Sequence, residues 1–161
     1  MLKILGIGLI TVIVSIWGES LVTRQKKRIK ALEALLRLAE DLEAKIRSFH
    51  VPVRSILAEH KDGLLAESGF IELAVQSTSL SEAVRQKADE LCLDMRDVSL
   101  ISEFGGGLGQ YSIDEEAKRC AYYIGEIKKL LDDARLKLPG EAKLFRSAGI
   151  MCGILAAVFL I

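Results

Sequence analysis

The pattern of hydrophobic and polar positions divides the chain into three stretches. From Ile4 to Gly18 no residue is charged, and Leu21-Val22 extends the apolar stretch past Glu19 and Ser20. From Ser147 to Ile161 the sequence is again free of charge. Between these runs, apolar residues recur at steps of three and four, the period of a helix with one buried face. Ile29, Leu32, Leu35, Leu36, Ala39, Leu42, Ile46 and Phe49 form one such stripe. Pro52 ends it and can open the next helix, where Val53, Ile56 and Leu57 face inward. Lys61-Asp62-Gly63 and Ser77-Thr78 are turn-like. Ser79-Leu80-Ser81-Glu82 has the form of a capping box ahead of Leu80, Ala83, Val84, Ala88 and Leu91. Met95, Val98, Ile101 and Phe104 give a further short stripe. Ser112-Ile113-Asp114-Glu115 is a second capping box, opening a long stripe through Ala117, Cys120, Ala121, Ile124, Ile127, Leu131, Ala134 and Leu138. Pro139-Gly140 is expected to break or kink the chain just before the second apolar end. Only short patches favour strand. The predicted fold is all-α, an antiparallel helical bundle with two terminal transmembrane helices and short helices forming the distal cap.

Each apolar end is short for a span, because a bilayer core takes about 20 residues of helix. The first segment reaches that length only with its flanks, Lys3 snorkelling outward and Trp17 placed as an interfacial aromatic. Leu144 and Phe145, with Lys143 and Arg146 snorkelling, similarly lengthen the second. Its small residues, including a Gly149-xxx-Gly153 spacing, permit close approach of another helix, for which the first segment is the obvious partner. Arg24, Lys26, Lys27, Arg28 and Lys30 follow the first segment, while only Lys3 precedes it, so the positive-inside rule holds the middle of the chain in the cytoplasm. A cleaved signal peptide would need the opposite charge asymmetry and a small-x-small site. The expected organisation is an N-terminal transmembrane helix over 1–22, a cytoplasmic helical domain over 23–140 and a C-terminal transmembrane helix over 141–161.

Composition narrows the chemistry. Lys+Arg 22 against Asp+Glu 22 leaves no global field toward nucleic acid. The cysteines, Cys92, Cys120 and Cys152, are odd in number and far apart, which fits a reducing compartment and no metal-ligand spacing. Phe104-Gly105-Gly106-Gly107-Leu108-Gly109 has the glycine density of a phosphate loop, but no Gly-Lys-Ser/Thr ends it and no strand precedes it. It reads as a tight helix–helix turn in which Phe104 and Leu108 pack while Gly105 and Gly109 permit the bend. His50 and His60 belong to no ligand spacing, and the adjacent carboxylates Asp89-Glu90, Asp114-Glu115-Glu116 and Asp132-Asp133 diverge on a helix. No Ser or Cys has an evident base. The expectation is a protein that is not an enzyme and carries no cofactor. Arg24, Lys26, Lys27, Arg28, Lys143 and Arg146 are expected at the membrane boundary, where the first cluster can also meet anionic headgroups or an acidic partner.

With this layout the chain resembles the stage III sporulation protein AB family of endospore-forming bacteria. The resemblance rests on the short first anchor with its basic residues, on Leu42-Glu43-Ala44-Lys45-Ile46 running into Pro52-Val53, on the Phe-Gly-x-x-Leu-Gly turn at Phe104 to Gly109, and on Lys143-Leu144-Phe145-Arg146-Ser147-Ala148-Gly149. The chain departs from the family pattern at Ser112, where an Asp is usual, and at Glu116, where a Gln is usual. The resemblance implies an inner-membrane platform subunit of a secretion-like channel in the mother-cell membrane facing the forespore. It also implies similarity to the cytoplasmic domains of type II secretion and type IV pilus platform proteins. The implied partners are a cytoplasmic secretion-type ATPase resembling stage III sporulation protein AA, other membrane subunits of the channel and the lipid bilayer, and no nucleic acid. A membrane-tethered helical sensor or regulatory protein is the alternative.

Overall fold

In a computed structural model, the backbone is described for residues 2–49, 53–60, 63–77 and 79–160, and side chains for 20–48, 53–60, 63–77, 79–140, 147 and 151. Seven helices account for the regular structure among these residues: α1 (Leu2–Phe49), α2 (Val53–Glu59), α3 (Gly63–Glu67), α4 (Phe70–Gln76), α5 (Leu80–Lys87), α6 (Met95–Gly106) and α7 (Ile113–Leu160). No strand occurs among the described residues, and the fold is all-helical.

The chain forms two compact units. Lys27–Asp133 makes one, and Met1–Lys26 together with Ala134–Ile161 makes the other. In the Lys27–Asp133 unit, the stripe expected on α1 is buried from Ile29 to Ile46, except that Leu36 is only half-buried. The buried surface is also wider than one stripe. Ala31, Ala34 and Leu38 are covered as well, since α1 lies under both α7 and the short helices. Glu40 pairs with Lys128 at 2.9 Å, and further along α1 Glu43 acts on Cys120 earlier in α7, so the two helices run antiparallel here. On the other side, His60 at the end of α2 meets Asp41 at 3.2 Å through Nδ1, and Lys45 reaches Glu59 at 3.6 Å. The short helices add Ile56, Leu65, Phe70 and Val84 to the core, each fully buried.

Several boundaries differ from expectation for local reasons. Ser79 is the N-cap of α5, but its hydroxyl meets that of Ser81 at 2.9 Å and makes no cap bond to the backbone. The reciprocal box forms instead on α6, where Asp97 accepts from the Asp94 amide at 3.0 Å. On α7 the expected element is present in part: the Glu115 carboxylate accepts from the Ser112 amide at 3.3 Å and from its hydroxyl at 2.8 Å. Met95, expected in the core, is 93% exposed, because it opens α6 beside the N-cap and points away from the face that Ile101 and Phe104 bury. Ala121 is exposed, and Tyr123 and Leu130 take the buried positions of α7 beside Ile124 and Ile127. Pro139 does not break the chain: α7 runs through it to Leu160. A proline removes one helical hydrogen bond and clashes with one carbonyl, a local cost that the continuous turns on either side absorb.

Between α5 and α6 the chain reverses through a Schellman motif. The Leu93 amide donates to Ala88 O at 2.9 Å and the Cys92 amide to Asp89 O at 3.1 Å. Cys92 takes the left-handed position, φ 56, where glycine is usual. Among the described residues no helix is long and apolar enough to cross a membrane. The expected spans over 1–22 and 141–161 fall on residues whose side chains lie almost entirely outside the described set, as do Lys143 and Arg146, and His50, Pro52, Lys61, Asp62 and Thr78 also lie outside it.

Candidate interaction site

The glycine-rich turn is built from both ends. Phe104, 2% exposed, anchors the last turn of α6 with its ring 5.2 Å from that of Tyr123 on α7. Gly105 lies inside α6, not in the bend. A Cβ there would stand 2.7 Å from both Leu80 Cβ and the Ser81 amide nitrogen, so its role is to let α5 and α6 touch. The bend falls on Gly107 to Gly109, and Gly109 at φ 81 supplies the left-handed residue. Leu108 is half-buried.

Arg119 of α7 closes this turn. Its Nη2 donates to Glu103 O at 2.7 Å and to Phe104 O at 3.0 Å, satisfying carbonyls that the end of α6 leaves without helical partners. The guanidinium lies against Gly107, where any side chain would displace it. It sits 5.3 Å from the Tyr111 ring centroid and 5.4 Å from that of Tyr123, within cation–π range of both. Tyr122 meets Tyr123 edge-on at 5.2 Å. Tyr111 and Tyr123 therefore meet one arginine, Tyr122 joins them through Tyr123, and Tyr111 and Tyr122 are 54% and 62% exposed. The Tyr123 phenol is held above its ordinary pKa by burial first; Arg119 pulls it down and Glu103 pushes it up. Beside this cluster a groove of about 210 Å³ runs between α6 and α7, lined by Arg96, Ser99, Leu100 and Glu103 on one side and Glu126, Lys129 and Leu130 on the other. Exposed aromatic residues with arginine are the composition of interaction surfaces.

A second polar feature joins α1 to α6. Asp97 is fully buried and accepts from Arg28 Nε at 2.7 Å and Nη2 at 2.9 Å, while Arg28 Nη1 meets Asp94 at 2.7 Å. Arg28 is thus committed to the α6 N-terminus and is not a free headgroup cation; Arg24, Lys26 and Lys27 remain exposed. A third feature lies where α7 begins. Glu116 is 3% exposed, and neither of its carboxylate oxygens has a hydrogen-bond partner. One turn on, Cys120 is fully buried, and its thiol is pushed from 9.0 to about 11 by burial first, then by Glu116 and Glu43. Among the described residues no group of His, Cys, Asp and Glu is arranged to hold a metal.

Sequence reasoning located the turn but missed its clamp. Arg119, Tyr122 and Tyr123 lie on α7, and only the packing of α7 on α6 joins them to it. The Arg28–Asp97 pair had half a signal in the sequence, the Asp94-x-x-Asp97 spacing of a capping box. A family model described as stage III sporulation protein AB matches residues 3–161. No curated protein and no solved structure matches the chain.

Proposed function

The chain belongs to the stage III sporulation protein AB family, which gives it a role in stage III of sporulation, and from that premise we propose that it is a non-enzymatic platform subunit of a secretion-like channel between mother cell and forespore. In this reading the residues 1–22 and 141–161 are membrane anchors, and the helical unit between them lies in the mother-cell cytoplasm. There it couples to a secretion-type ATPase and to neighbouring channel subunits. The anchors are supported by the charge-free runs Ile4 to Gly18 and Ser147 to Ile161 and by the basic residues after the first run. The inclusion of Met1–Lys26 and Ala134–Ile161 in one compact unit agrees with two end segments that pack together.

The observation that carries the interaction role is the exposed tyrosine–arginine cluster at the α6–α7 turn. Its inner residues are spent on shape, since Phe104, Gly105 and Arg119 fix the turn. Tyr111 and Tyr122 keep more than half of their surface open and are free to be covered by another protein.

The test is affinity purification of the tagged full-length chain from membranes of sporulating cells, with bound proteins identified by mass spectrometry. The expected result is co-purification of a secretion-type ATPase, lost in the Y111A/Y122A variant. A preparation that holds the chain and other channel subunits but no ATPase removes the platform reading.

A further inference from the structure

We propose that the groove between α6 and α7 receives α6 of a second copy of this chain, in an antiparallel contact about a two-fold axis. The order of side chains along the exposed edge of α6 carries this inference. Arg96 stands at one end, Ser99 and Leu100 in the middle and Glu103 at the other end, all lining one groove. These positions share one helix face over about two turns. If α6 is turned end for end about an axis between Ser99 and Leu100, Arg96 faces Glu103 of the second copy, twice. Leu100 then lies against the middle of the partner helix. An interface between identical patches must be self-complementary in this way.

The charges agree with it. Arg96 is exposed and has no ion-pair partner among the described residues. The other lining cation, Lys129, is already held by Glu126 at 2.6 Å. Arg96 and the exposed Glu103, whose carboxylate also meets Tyr123, lie at opposite ends of one short helix, and a second copy brings the two charges together twice. A helix is the fitting occupant because the groove is formed by two helices, into which a third packs ridge into groove. An added strand would need a sheet edge, and no strand is present among the described residues. The contact requires nothing of the ATPase, so its failure and the failure of the platform reading are separate results.

The test is disulfide trapping of the full-length chain in isolated membranes with added oxidant. Leu100→Cys is introduced with Cys92 and Cys152 replaced by serine; Cys120 is fully buried and stays. Glu82→Cys, on the exposed face of α5, is the control. The expected result is a covalent dimer from Leu100→Cys and little from Glu82→Cys. R96E and E103R should each lower the yield at least tenfold, and R96E/E103R together should return it to within about twofold. Arg96 is exposed and has no ion-pair partner among the described residues, so R96E tests the contact with little effect on folding. No dimer above the control, an unchanged yield in R96E, a double reversal that fails to restore it, or trapping of a different protein at Leu100→Cys would each overturn the proposal.

Discussion

At the scale of single residues, the strongest constraints are steric and electrostatic ones that nothing nearby relieves. Gly105 has the least room: with Leu80 Cβ and the Ser81 amide both 2.7 Å from where a methyl would go, α5 and α6 must separate to admit it. G105A is expected to cost about 1–3 kcal/mol, the range for forcing extra volume into a packed contact, read as a lower thermal midpoint of the solubilised chain by circular dichroism. Glu116 is the opposite case, a group whose removal helps. Its two buried oxygens lack partners, and an unsatisfied buried polar group costs about 1–3 kcal/mol. E116M, of similar length and no polarity, is expected to raise the midpoint, and E116Q to raise it less. A lowered midpoint in E116M would show that the carboxylate has a stabilising role. Cys120 ties stability to pH. Its folded pKa of about 11 lies above the unfolded 9.0, so below pH 9.0 the thiol is protonated in both states and costs nothing. As pH rises from 9.0 to about 11 the unfolded chain loses a proton that the folded one keeps, and stability falls. C120A should lose less stability than the parent chain across that window.

At the scale of elements, the ends of the helices decide the architecture more than their middles do. Arg119 holds the end of α6 with a planar, multi-donor group that also lies within cation–π range of two aromatic rings. Lysine keeps the charge but not that geometry. R119K should therefore lower stability nearly as much as R119A, about 1–2 kcal/mol for two carbonyl bonds, with faster hydrogen exchange confined to the end of α6 and the turn. Cys92 is the counterpart in the turn between α5 and α6. It occupies a left-handed cap position that suits glycine, so C92G should raise stability by about 1 kcal/mol. The helices themselves were legible because their apolar periodicity follows directly from which face is buried. The turn motif was legible as a turn for the same local reason, its glycines. The helical role of Gly105 was not, because a glycine needed for close approach looks in sequence like a glycine needed for a bend. Only the position of Leu80 separates the two.

At the scale of the whole molecule, the Arg28–Asp97 pair is a long-range contact that ties α1 to α6. Removing one member of a buried ion pair leaves the other charge uncompensated, a loss of about 3–5 kcal/mol. R28A is accordingly expected to destabilise the Lys27–Asp133 unit far more than alanine at the neighbouring exposed Arg24 or Lys26. An equal effect of all three would mean that Arg28 acts only as one of the basic residues after the first apolar run. The proposed topology has its own measurement. Met95 is 93% exposed, and a cysteine there should resist a membrane-impermeant maleimide added to intact cells yet react once the membrane is opened. Labelling in intact cells would place the helical unit on the other side.

The sequence by itself determined the all-helical class, the stripes that become the core, the position of the glycine turn and the family, because each is written in local spacing and in the order of short motifs. Tertiary structure alone decided what those pieces do for one another. It moved Arg28 from a basic cluster to a buried carboxylate, carried α7 through Pro139, and brought Arg119, Tyr122 and Tyr123 from a later helix onto the turn. The physical reason is the same in each case. A residue's own helix fixes its face, but only the helix packed against that face fixes its partner.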